Sequence, residues 1–116
     1  MSEDDLLTAV LDMARLFGLH VAHFRPAKTE RGWRTPVQVD GKGYPDLTIV
    51  GLGGVLFREL KSATGSSSAE QKVWAAKLTG AGADFAVWRP ADLRSGRIER
   101  ELRALRVRKP ERQETR

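Results

Sequence analysis

The chain of 116 residues has no cysteine. Disulfides and thiolate metal sites are thereby excluded. It has two histidines, too few for a zinc site of the usual kind. No apolar run approaches the length of a membrane span, and the acidic N-terminus does not read as a signal peptide. The expected setting is the cytoplasm, bacterial or of an infected host cell. There is no internal repeat. What remains is a chain of single-domain length with 41% apolar residues and three Trp, enough for a modest core.

The net charge of +5 is unevenly spread. Glu3, Asp4, Asp5 and Asp12 oppose a single Arg in the first 24 residues. Arg25, Lys28, Arg31, Arg34 and Lys42 outnumber Glu30 and Asp40 between 25 and 45. Arg103, Arg106, Arg108, Lys109, Arg112 and Arg116 outnumber Glu111 and Glu114 at the end. A basic loop and a basic tail around a nearly neutral middle suit a polyanionic partner. Basic surfaces that serve solubility alone are also common, so charge by itself does not decide.

The stretch from Gly43 to Lys61 carries the chemistry. Leu47 to Val50 reads as a strand, Gly51, Gly53 and Gly54 as a turn, and Val55 to Lys61 as a second strand. Asp46 opens the first strand and Glu59 nearly closes the second. Glu59 and Lys61 share a face, with Leu60 turned the other way. A hairpin returns the end of its second strand to the start of its first, so Asp46, Glu59 and Lys61 converge. Two carboxylates and an ammonium at one point form a hard-cation site with a cationic helper. Any one of these residues alone would more simply be a turn residue or an exposed pair.

Around this hairpin the periodicities predict further elements. Residues 3 to 17 form an amphipathic helix capped by Ser2, with Leu6, Leu7, Val10, Met13, Ala14 and Phe17 on one face and Gly18 at its end. Leu19 to Phe24 is a strand. Residues 25 to 45 read as a long loop rich in Gly, Pro and basic residues, with Trp33 as an anchor or a stacking platform. Arg25, Lys28, Arg34 and Lys42 are its candidate phosphate contacts. A helix starts at Ser67 or Ser68; Ser67 with Glu70, or Ser68 with Gln71, fits a capping box. Val73, Trp74, Ala76, Leu78 and Ala81 are its expected buried face. Asp84 to Arg89 is a fourth strand, ended by Pro90. Asp92 caps a last helix with Leu93, Ile98, Leu102 and Leu105 inward. The domain is expected over residues 1–105, with 106–116 as a disordered basic tail.

In that order, Tyr44-Pro45-Asp46-Leu47, Arg58-Glu59-Leu60-Lys61, Gln71 with Trp74, and Val87-Trp88-Arg89-Pro90 resemble the PD-(D/E)XK nuclease superfamily. Within it the chain looks most like the VRR-NUC domains, the virus-type replication and repair nucleases. His23-Phe24-Arg25-Pro26 and Gly32-Trp33-Arg34-Thr35-Pro36 look like the small phage and bacterial members. The resemblance covers roughly Glu3 to Leu105. It implies a restriction-endonuclease-like αβββαβα core, an α/β fold with a small mixed sheet between helices. It implies a DNA endonuclease that needs Mg²⁺ or Mn²⁺ and leaves a 5′-phosphate and a 3′-hydroxyl. Asp46, Glu59 and the backbone carbonyl of Leu60 would ligate the metal, Lys61 and Gln71 would serve catalysis, and Glu3 on the first helix would complete a second metal site. Glu3 is as readily a dipole-compensating acid at a helix end. With no fused module, the chain resembles the stand-alone type, which implies a homodimer that resolves four-way DNA junctions. The rival readings are a non-catalytic nucleic-acid-binding module on the same fold and a flap or repair nuclease.

Overall fold

A computed structural model describes residues 1–24, 27–29, 32–34 and 39–110; for 27–29 and 32–34 it describes the backbone alone. The first helix, α1, spans Glu3–Leu16. Ser2 caps it reciprocally with Asp5: the hydroxyl accepts from the Asp5 amide at 3.0 Å, and the Asp5 carboxylate accepts from the Ser2 amide at 3.0 Å. Gly18 leaves the helix with φ +71°, the left-handed backbone that glycine adopts without cost. Strand β1 follows at His20–His23.

The segment expected to be a long loop contains a small ribbon. Strands β2 (Ala27–Thr29) and β3 (Gly32–Arg34) pair antiparallel as a separate sheet. Its Gly and Pro content masked the alternation that would have marked strands only three residues long. Arg25 lies outside the described residues, as do the side chains of Lys28, Trp33 and Arg34.

The central hairpin consists of β4 (Leu47–Gly51) and β5 (Gly54–Leu60), paired antiparallel from Leu47 opposite Arg58 to Gly51 opposite Gly54. Helix α2 (Ala69–Gly80) then crosses to β6 (Asp84–Trp88), which lies parallel to β5. The sheet order is β1-β4-β5-β6, so β1 and β6 are its edges. This is the mixed α/β sheet that the order of elements predicts.

Leu47, Ile49, Leu56 and Leu60 face α1 and the C-terminal helices and are buried with Leu6, Val10, Trp88, Ile98, Leu102 and Leu105. The last helix is two helices: α3 (Pro90–Arg94) and α4 (Arg97–Ala104), separated by Gly96 at φ +83°. Pro90 starts α3 as well as ending the strand, because its fixed φ suits a first helical position. Asp92 therefore lies inside α3, and its carboxylate accepts from the Arg89 amide at 2.8 Å.

Helix α2 departs most from expectation. No residue of it is buried, and Val73 is 56% exposed. Trp74 is half-buried; it meets Tyr44 edge-on at 4.9 Å and donates its indole N–H to the Asp40 carbonyl at 2.9 Å. The helix is held by a few contacts at one side rather than by a full apolar face.

Candidate active site

The β4–β5 pairing places Asp46 beside the end of β5. Its Oδ2 accepts from the Leu60 amide at 2.8 Å, and its own amide donates to Glu59 Oε1 at 3.3 Å. Asp46 and Glu59 are thus held as a pair by backbone geometry. Glu59 is 2% exposed, and its Oε2 has no hydrogen-bond partner among the described residues. An unsatisfied oxygen on a buried acid is costly unless a cation or proton meets it. Burial, then the neighbouring Asp46 carboxylate, push the Glu59 carboxyl up to about 9, against the opposing pull of Lys61.

Lys61 continues β5 on the Glu59 face. Its amide donates to the Trp88 carbonyl at 3.0 Å, and its ammonium donates to Gln71 Oε1 at 2.9 Å. Gln71 also completes the capping box of α2: the same Oε1 accepts from the Ser68 amide at 2.9 Å, and its own amide donates to Ser68 Oγ at 3.2 Å. Of the two capping registers, the structure takes Ser68 with Gln71. A single side-chain oxygen thus fixes both the start of the helix and the direction of the Lys61 charge.

Glu3 stands at the other wall. A cleft of about 110 Å³ is lined by Glu3, Asp4, Leu7, His23, Phe24, Asp46 and Leu60. The Glu3 carboxyl is raised by partial burial first and by the Asp46 charge second, and lowered by Lys61. It therefore senses the same charges, across the cleft. Among the described residues no three Asp, Glu or His side chains gather as a ready-made metal cluster. The donor set still fits a hard cation. Mg²⁺ is commonly held by one or two carboxylates, with waters and substrate phosphate filling the octahedron. Glu59 Oε2 is the open donor such an ion would occupy.

Loop contacts bring these parts into register. Gly43, at φ +85°, lies so close to the first turn of α2 that a Cβ there would fall 2.5 Å from the Glu70 carbonyl carbon and 2.6 Å from the Gln71 nitrogen. Tyr44 meets Phe24, Phe57 and Trp74 edge-on, and its hydroxyl bonds Thr48 Oγ1 at 3.0 Å. Lys42 pairs with Glu70 at 3.3 Å and borders an open groove of about 710 Å³ along α2, with Trp74, Val73 and Lys77.

Two positioning groups were not singled out from the sequence. Arg58, 2% exposed, donates to Asp84 Oδ1 at 2.9 Å and Glu101 Oε1 at 2.7 Å and lies over the Trp88 ring at 5.0 Å. Its strand parity, shared with Leu56 and Leu60, was the available signal: a charge on a core-facing position needs partners. Arg89 donates through one nitrogen to the Ser62 and Gly65 carbonyls at 2.7 and 2.8 Å, tying down the loop that follows Lys61. Nothing in its local pattern announces that reach.

No family model matches the sequence, and no curated protein matches it. Among solved structures, one described as a VRR_NUC domain protein is similar to this chain, with a TM-score of 0.62 and 24% identity over 90% of each chain. Together with the element order and the sheet topology, that likeness shows that the chain has the fold of a VRR-NUC domain.

Proposed function

We propose that this protein is a metal-dependent DNA endonuclease that hydrolyses phosphodiester bonds at the Asp46–Glu59–Lys61 site. The observation that carries the reading is Glu59: a buried carboxyl with an unsatisfied oxygen, held beside a second carboxylate at the end of a strand. A stable core has no use for that arrangement, whereas a cation site does. The fold shared with a VRR_NUC domain protein agrees with a nuclease.

In this reading Asp46, Glu59 and the Leu60 carbonyl would hold Mg²⁺ or Mn²⁺, and Glu3, on the cleft wall, would complete a second metal site. When bound, such an ion would supply a water of lowered pKa and neutralise charge on the phosphoryl oxygens. Asp46, directly before β4, and Glu59, near the end of β5, would set its position. Lys61 places a positive charge beside the reacting phosphate and stabilises the transition state. Gln71 aims that ammonium and keeps it from folding back on the carboxylates. Lys42, together with Arg25, Lys28 and Arg34, holds the DNA backbone.

We further propose that the enzyme is a homodimer selective for four-way junctions, acting in a bacterial or phage-infected cytoplasm. The test of the site is a cleavage gel with linear, nicked and branched DNA, with and without Mg²⁺ or Mn²⁺. The double variant Asp46→Asn, Glu59→Gln is expected to lose cleavage while binding DNA as well or better, because the Asp46 charge no longer repels phosphate. Cutting by that variant in Mg²⁺ would remove the site from consideration. Metal-dependent binding with no cleavage by the wild type would favour a non-catalytic DNA-binding module.

A further inference from the structure

The end of the molecule remote from the cleft carries a second basic surface. Helix α1 starts at Glu3, in the cleft, and leads to Phe17 at its far end. That is roughly 20 Å away at 1.5 Å of rise per residue. There two guanidinium groups share one ring: Arg103 lies 5.1 Å and Arg106 5.4 Å from the Phe17 centroid. The ring face attracts both cations, and both arginines remain exposed to solvent. Arg103 spends one nitrogen on Glu99 at 3.4 Å, a contact more than half exposed on both sides. No ion pair among the described residues engages Arg15, Arg106, Arg108 or Lys109, and all four are exposed.

The surface is built rather than incidental. The β4–β5 turn docks on the end of α4: the Gly53 amide donates to the Leu105 carbonyl at 3.0 Å. A Cβ at Gly51 would fall 2.4 Å from that carbonyl oxygen, and one at Gly53 would fall 2.5 Å from the Ala104 oxygen. This contact carries the chain past Leu105 so that Arg106 returns over Phe17 and the Lys109 ammonium reaches the side of Gly54, 3.9 Å from where its Cβ would stand. Like charges gathered on one ring repel one another unless an anion lies against them.

We infer that this end is a second DNA contact, in which Arg103 and Arg106 clamp the phosphate backbone of duplex about six base pairs from the scissile phosphate, at about 3.4 Å per pair. The inference rests on the nuclease reading and adds to it: binding affinity is divided between two separated surfaces, and only one of them touches the reacting bond. The contact reads no sequence, since it meets phosphates alone.

The experiment uses the whole 116-residue chain and a labelled linear duplex long enough to span both ends, with binding measured in chelator over a range of salt. Removing two phosphate contacts with Arg103→Gln, Arg106→Gln should flatten the slope of log K against log salt by about two and weaken binding on the order of tenfold. Cleavage at saturating DNA should stay at the wild-type rate, with KM raised. Arg103→Lys, Arg106→Lys keeps the charge and should restore most of the slope. An unchanged slope in the Gln variant, or a Lys variant as impaired as the Gln one, overturns the inference and leaves these arginines as packing for Phe17. If the wild type neither binds nor cuts DNA, the nuclease reading itself falls and takes this one with it.

Discussion

At the scale of single residues, Glu59 decides how the site behaves without metal. Its folded carboxyl titrates near 9, far above its ordinary 4.5. The folded state thus prefers the protonated form more than the unfolded chain does. That preference stabilises fully below about pH 4.5 and is lost progressively as pH rises through 9. In chelator, the melting temperature should therefore fall between these limits, and Glu59→Gln, neutral throughout, should flatten the decline and melt several degrees higher at pH 8. Added Mg²⁺ or Mn²⁺ should raise the wild-type melting temperature, since the ion binds only the folded chain, and leave Glu59→Gln nearly unmoved. Calorimetry over pH, with and without ion, checks both; a wild-type melt independent of pH and ion would argue for a neutral, structural Glu59. Lys61 acts in the opposite sense: Lys61→Ala should slow single-turnover cleavage on the order of 10² or more while leaving the melt within a degree or so.

At the scale of elements, the site depends on how the 39–46 loop meets the start of α2. Gly43 is the contact point, and the two nearest atoms there belong to the backbone of Glu70 and Gln71. Gly43→Ala adds this clash to a left-handed φ, so a loss on the order of 1–3 kcal/mol is expected. Because the strain falls on Gln71, cleavage should drop further than stability alone explains, with a matching Gln71→Ala effect and little additivity between the two. Denaturant melts paired with single-turnover rates separate the two losses; full activity in a destabilised Gly43→Ala would uncouple this contact from the site.

The same elements show what a sequence discloses. Helix α1 and the central hairpin were legible because burial imposes periodicity: Leu6, Val10 and Ala14 repeat along one face, and Leu47, Ile49 and Leu56 alternate. The meeting of Asp46 with Glu59 was legible from the hairpin itself, which returns the end of β5 to the start of β4. Helix α2 was misread because its apolar residues do not face a core; Val73 and Trp74 border a groove and a loop instead. The ribbon β2–β3 was missed because strands of three residues carry too little pattern. Arg58 offers the sequence only its core-facing strand parity, and Arg89 not even that, because their partners lie 20 or more residues away in the chain.

At the scale of the whole molecule, a domain this small offers little surface to a branched duplex, and a cleft of about 110 Å³ admits one reacting phosphate rather than two strands. Paired incision of a four-way junction therefore needs a second copy whose site is related by two-fold symmetry. Strand β1 is the surface best suited to supply it. It is an edge of the sheet, and its inward side is already occupied: Phe24 donates its amide to the Asp46 carbonyl at 3.0 Å, which leaves the alternate amides directed away from β4. His20 and Ala22 are exposed, and no charge on β1 opposes close approach of a second strand when its histidines are neutral. Antiparallel pairing of two β1 strands would join the sheets and set both Asp46–Glu59 pairs near the dimer axis, since Asp46 directly precedes the strand that β1 pairs with. The expected outcome is a mass of two chains by light scattering at micromolar concentration, and a junction cut in paired strands faster than linear duplex of the same sequence. A replacement such as Ala22→Lys, placing like charges opposite each other across the axis, should yield a monomer that still binds duplex but nicks junction arms singly. A wild-type monomer that prefers single-stranded flaps would instead assign the fold to a flap or repair nuclease, with β1 left as a plain sheet edge.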